Sequence, residues 1–480
     1  MKTIRSQIFV TVFVCGLALS QNSQAVLPPP DGGYPGGNTA EGQAALLNLT
    51  SGGFNTAVGF LSLRSNTTAS FNTAVGAGTL AANSGDLNTA TGAGALLSNV
   101  TGTGNTATGA FALFSNTVGN SNTAFGHLAL MNNTAPFNSA FGQGALASNT
   151  IGSDNTACGK GALFSNIDGG QNTATGENTL FSNTSGRFNT ANGLNALGLN
   201  TTGSFNTANG GDALVQNTTG ANNTATGISA MQENTIGIQN TADGGGALAS
   251  NTVGTNNTAT GFNALRNNTT GGFNTAGGIN ALVNNSTGSS NTALGDSAGF
   301  GVTTADHVIC IGANVQGENL SNTCYIGNIF GVTSTGGAGV FVNADGKLGT
   351  ITSSVRFKEK IEPMDGASEV LHALKPVTFR YKKEIDPHGK SQFGLVAEDV
   401  EKVNPELVVR DKEGKPSSVR YDQVNAMLLN EFLKEHRTVT ELKKEISALT
   451  AMVKEQAARI EKVSAELETS KNRSQVAQVP

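Results

Sequence analysis

At 480 residues the chain is too long, and too uneven in composition, to be one simple domain. Its net charge of −5, with no basic arm or acidic tail, leaves no electrostatic footprint for nucleic acid. With Trp absent and only 4 Tyr, a large aromatic-lined substrate pocket is excluded as well.

The chain opens with Lys2 and Arg5, an apolar run, and then Ser23-Gln24-Ala25. That order predicts a secretory signal peptide over residues 1–25, cut after Ala25, and hence a secreted or cell-surface protein. The apolar core of about a dozen residues is too short to span a bilayer, and no later stretch reads as a transmembrane span. Cys15 follows Val14 rather than a small residue, which argues against a lipoprotein anchor. Residues 26–37 read as a linker.

A repeat then takes over. Asn38, Asn55, Asn72, Asn88, Asn105 and Asn122 each open an Asn-Thr-Ala step, and the series runs on from Asn138 to Asn291. The spacing is 17, shortened to 16 twice, and the consensus is NTAxGxxALxSNTTGxx. Such a period is too short for helix pairs, and the glycine content opposes helix. It predicts a mainly β fold, a parallel β-solenoid or β-roll over residues 38–301, with two short strands per coil, NTAxG and xALxS. Asn at a fixed corner should stack on its copy in the next coil, forming an amide ladder. Sixteen coils give a rod of roughly 75 Å. Ala and one Leu per coil bury little apolar surface, so the Leu row is expected to face copies of itself in other chains. The repeats resemble the heads of trimeric autotransporter adhesins and the β-structured shafts of phage tail fibres. They depart from the autotransporters in having no following run of amphipathic strands for an outer-membrane barrel. An ice- or surface-binding solenoid is the competing reading. Its Thr-x-Thr ranks occur at Thr89–Thr91 and Thr106–Thr108 but are interrupted elsewhere.

Residues 302–352 lose the repeat signature and read as a β neck, with strand-like HVICIGA and TCYIGN and a hairpin turn at Asn343–Gly346. Cys310 and Cys324 stand in parallel contexts there. Either a disulfide or two small buried residues in successive strands would suit them. No Cys/His spacing suits a metal, and no cofactor is expected.

About two-thirds of the charged residues fall after the seam, in residues 353–480. PVTFRYK predicts a strand, QFGLVAEDVEKV a strand leading into a short helix, and ELVVRDKEGKPSSVRY a hairpin turning at Lys412-Glu413-Gly414. A small α+β domain over residues 353–440 is therefore expected. Heptads follow over residues 425–470. Position a holds Phe432, Val439, Ile446, Val453, Ile460 and Leu467; position d holds Leu428, Glu435, Leu442, Leu449, Gln456 and Val463. That pattern predicts a C-terminal coiled coil, with residues 471–480 as a disordered tail.

The run SSVRFKEKI, ALKPVTFRYK, FGLVAEDVEKVNPELV and VRYDQVNAMLLNEFLKEH resembles the endosialidase-type intramolecular chaperone domain, a self-cleaving serine peptidase that ends phage tailspikes and tail fibres. The resemblance covers residues 353–440. It implies a homotrimer in which the tail guides folding of the fibre and then cuts itself off. It also implies that the cut falls between Thr352 and Ser353, with Ser353 and Lys358 as the dyad. In this chain Ser354 stands where the family often has Asp, which makes Ser354 a rival nucleophile. Chemically, a serine hydroxyl needs a base, and a lysine serves only when neutral, so burial or a cationic neighbour such as Arg356 or Lys360 must favour that form. Spacing of five puts the two side chains on different faces of a helix or strand, so a turn or a second chain must bring them together. On this reading the enzyme is a single-turnover autoprotease. The partners are further copies of the chain and a surface receptor or glycan. A non-cleaving structural or adhesive fibre is the alternative.

Overall fold

The computed structural model describes residues 34–332 and 334–476, in two units that divide at Val332/Thr333. The expected signal peptide lies outside the described residues, as do residues 26–33 of the linker and residues 477–480 of the tail.

In the first unit each Thr-Ala-x step is a three-residue strand. The strands run from β1 (Thr39–Glu41) to β18 (Cys324–Ile326), and each pairs in parallel with the next in the chain. Registers are one-to-one, with Thr89 beside Thr106 and Ala90 beside Ala107. Alternation sends Thr and x outward and Ala inward, where Ala90 and its copies are fully buried.

The second expected strand is absent. The segment carrying Ala and Leu instead alternates handedness, with φ of +134° at Gly109, +57° at Phe111 and +51° at Leu113. A left-handed non-glycine residue costs about 1–2 kcal/mol. Hydrogen bonds to both neighbouring coils offset that cost: Phe111 N donates to Ala93 O (2.9 Å), and Leu113 N donates to Ala129 O (3.0 Å). The alternation curls the segment back over the strand. Ala112 and Leu113 therefore meet Ala107 inside the coil, all fully buried within one chain. This corrects the expectation that the Leu row needs other copies to cover it.

Two amide ladders run along the coils, the second from Asn66 to Asn285. Asn105 donates from N and Nδ2 to Asn88 Oδ1 (3.0 and 3.2 Å) and from Nδ2 to Gly119 O (2.9 Å). In the second ladder Asn116 Nδ2 donates to Asn99 Oδ1 (2.9 Å) and to the same Gly119 O (3.0 Å). The two 16-residue coils keep strand register by losing their residue between the ladders. There the ladders cross-link, Asn88 Nδ2 to Asn83 Oδ1 and Asn138 Nδ2 to Asn133 Oδ1, both 3.2 Å. The second ladder suffers for it, since Asn116 Oδ1 is left buried without a partner.

The neck expectation changes in its first half. β17 (Ile309–Ile311) and β18 continue the solenoid sheet, and Val302, Val308 and Cys310 join its core. What ends is the signature, because Val308 takes the ladder position. Its N–H still donates to Asn291 Oδ1 (2.8 Å), but its side chain has no amide to pass on. Cys310 sits opposite Tyr325, one residue out of register with Cys324. The pleat thus buries Cys310 and exposes Cys324, and both are free thiols, neither a bridge nor a buried pair.

The second unit begins with the hairpin β19 (Val340–Val342) and β20 (Leu348–Thr350). Its turn is the expected one, with Asn343 Oδ1 accepting from Asp345 N (3.1 Å) and Lys347 N (2.8 Å). Two 3₁₀ segments, Val355–Phe357 and Asp365–Ala373, follow the seam. Then come β21 (Val377–Phe379) paired with β22 (Gln392–Gly394), α1 (Ala397–Val403), the hairpin β23 (Val408–Arg410) and β24 (Pro416–Val419), and α2 (Tyr421–Val476). Val400, Leu407, Val408, Val419, Val424 and Met427 form its core. α2 carries all the heptads and runs on into the stretch expected to be disordered. Its a positions Phe432, Val439, Ile446, Val453, Ile460 and Leu467 are exposed in the single chain. No helix among the described residues is long and apolar enough to cross a membrane.

Candidate active site

The seam runs extended through Ser354 (φ −64°, ψ 136°), turns once in the 3₁₀ segment Val355–Phe357, and is extended again at Lys358 (φ −124°, ψ 140°). Phe357 N donates to Ser354 O (3.1 Å) and Lys358 N to Val355 O (3.2 Å), which holds the turn. A turn therefore lies between Ser353 and Lys358, one of the two arrangements, a turn or a second chain, that their spacing left open. Thr352, Ser353 and Lys358 are exposed, and Ser354 is half-buried. No hydrogen bond joins Ser353 to Lys358 among the described residues; the turn lies between them without bonding them. Arg356 stands over the Phe357 ring, 5.4 Å from its centroid. Apolar Ile351, Val355, Phe357 and Ile361 around the seam are exposed in the single chain.

A second polar cluster joins the 3₁₀ segment Asp365–Ala373 to α2. Ser368, fully buried, donates its hydroxyl to Glu431 Oε1 and accepts from Asn430 Nδ2 (2.6 Å). Lys434 Nζ lies 2.8 Å from Glu431 Oε1, and His372 Nε2 lies 3.3 Å from Oε2. Hydrogen bonds from Lys434, Ser368 and His372 take the Glu431 carboxyl from the ordinary 4.5 down to about 2. Sequence reasoning did not pick out this cluster, because its halves are some sixty residues apart. A signal was present in α2: Val424, Met427, Glu431 and Lys434 recur at helical spacing on one face, away from the heptad seam.

A depressed carboxyl pKa stabilises the fold above the unfolded value and loses that contribution as pH falls through the folded one. Among the described residues both α-helices lie in this unit, so its unfolding is followed at 222 nm. Its melting temperature should fall progressively between pH 4.5 and about 2. Glu431→Gln should melt lower at neutral pH and lose most of that acid dependence. Equal slopes for the two proteins would contradict the assignment.

No curated protein and no solved structure matches the chain. Residues 353–409 match the family model described as chaperone of endosialidase, a match that opens at Ser353 itself.

Proposed function

We propose that the protein is an exported homotrimeric fibre whose tail is an intramolecular chaperone that cuts the chain once, between Thr352 and Ser353. The observation that carries this reading is the start of the family match at Ser353, with Lys358 one turn further on. The exposed apolar a positions of α2 support association of the tails, since a single helix leaves that seam in water. A chaperone has a clear task here. Parallel coils pair only with neighbours of the same register, and nothing local sets the relation of one solenoid to another. Export rests on Lys2, Arg5 and the apolar run before Ala25.

In the cut, Lys358 Nζ takes the proton from Ser353 Oγ, and Oγ bonds to the carbonyl carbon of Thr352. The amide C–N bond breaks as the proton is delivered to the Ser353 nitrogen. Water then hydrolyses the ester, leaving a carboxylate on Thr352 and a free amine on Ser353. For Lys358 to begin neutral its exposed amine must be taken out of water, which closure of the seam by other copies would do.

The test is a time course of the full chain on denaturing gels, with sedimentation equilibrium in parallel. Wild type should sediment as a trimer and release residues 353–480 with Ser353 at the new N-terminus. Ser353→Ala and Lys358→Ala should each stay full length while still trimeric. A wild-type trimer that remains intact would leave the tail a retained clamp, and a stable monomer would sink the trimer.

A further inference from the structure

We propose that Ser354 is a positioning residue for the cut: its hydroxyl caps the turn Val355–Phe357 and so sets where Lys358 stands relative to Ser353. This rests on the reading that the chain is cut before Ser353.

Among the described residues from 351 to 361, the only side-chain hydrogen bonds are those that Ser354 Oγ accepts. One donor is the Arg356 backbone N–H, long at 3.4 Å, and the other is Arg356 Nε at 3.2 Å. Ser354 has the extended backbone of a helix cap, and its oxygen faces donors that the turn leaves without a partner of their own. The guanidinium makes the second bond charge-assisted, so one hydroxyl ties down both the backbone and the side chain of Arg356. Lys358 closes the far end of the same turn through its N–H to Val355 O. Loosening the cap therefore frees the segment that carries Lys358, while leaving Ser353 and Lys358 chemically untouched. An oxygen occupied by two donors is also a poor nucleophile, which argues against Ser354 as the attacking group.

Asp and Asn cap as well as Ser and carry no nucleophilic hydroxyl, so they separate the two roles. The cleavage time course is run on the full chain with Ser354→Ala, Ser354→Asp and Ser354→Asn. Ser354→Ala should slow the cut roughly tenfold, the scale of one lost cap, and still release a fragment beginning at Ser353. Ser354→Asp should restore the rate to within about threefold, because it keeps both bonds to Arg356. Amide exchange at Arg356 and Lys358, measured in uncut Ser353→Ala protein, should quicken with Ser354→Ala and recover with Ser354→Asp. A Ser354→Ala chain cut at the wild-type rate, or unchanged exchange at those two amides, would overturn the cap. So would Ser354→Asp as slow as Ser354→Ala. Wild type that never cuts fails the underlying reading instead, a different result from cutting that ignores Ser354.

Discussion

Gly193→Ala should open the solenoid at its coil, while Gly211→Ala, only eighteen residues on, should leave it intact. Gly193 ends the strand step at φ +126°, a conformation that side chains rarely adopt. A Cβ there would lie 2.6 Å from Gly210 O and 2.7 Å from Gly210 C, backbone atoms of the next coil that cannot step aside. Backbone strain alone costs about 1–3 kcal/mol, and relieving the clash must push two coils apart. Gly211 has an ordinary φ and nothing within 4 Å of a Cβ. Alanine there should be neutral or stabilising by up to about 1 kcal/mol. Amide exchange read coil by coil is the suitable measure, since long repeat arrays need not unfold in one step. Faster exchange around residues 190–212 in Gly193→Ala alone is the expected pattern. Similar behaviour of the two variants would mean that the coils yield more readily than their close stacking implies.

Asn172→Ala should cost about 2–4 kcal/mol, again read locally, with Asn192→Ala as its neutral counterpart. The Asn172 amide accepts from Asn189 N (3.0 Å) and Nδ2 (3.1 Å), and donates to Asn155 Oδ1 (3.1 Å) and Gly186 O (2.9 Å). Truncation leaves the Asn189 N–H buried with no acceptor and a void where the amide stood. The other groups keep a partner each: Asn189 Nδ2 still reaches Gly203 O (2.9 Å), and Gly186 O still accepts from Asn183 (3.1 Å). Asn192 also bonds to the next coil, its Nδ2 to Asn209 Oδ1 at 2.8 Å, but on the outer face where water can replace it. Its loss should stay within about 0.5 kcal/mol. A tolerated Asn172→Ala would show that the ladder is ornament on a core that holds without it.

The parts of this fold that repeat were the parts that could be read. Thr-Ala-x strands and both Asn rows follow from spacing and side-chain chemistry, and β19–β24 and α2 follow from turn residues and changes of period. Backbone handedness was hidden, because Leu113 looks like any strand leucine and only stacking between coils makes a positive φ tolerable there. The enclosed core was missed for the same reason: without the alternating segment, Ala and Leu have no way to meet inside one chain. At the candidate site, only the spacing of Ser353 and Lys358, which called for a turn or a second chain, was legible. The capping bonds of Ser354 and the Ser368–Glu431 contact were not, since each depends on where a side chain points after folding.

The enclosed core also bears on how such a protein can change over time. Each coil pairs with the one before and the one after, and most bring their own Ala, Leu and two amides. Duplicating or deleting one 17-residue unit would shift the rest of the solenoid by a single rung, about 4.8 Å, and rebuild the same strand pairing at the new junction. The first unit is thus a ruler whose length can be reset by slippage in the coding sequence, with little change to the buried surface where units of 17 residues are exchanged.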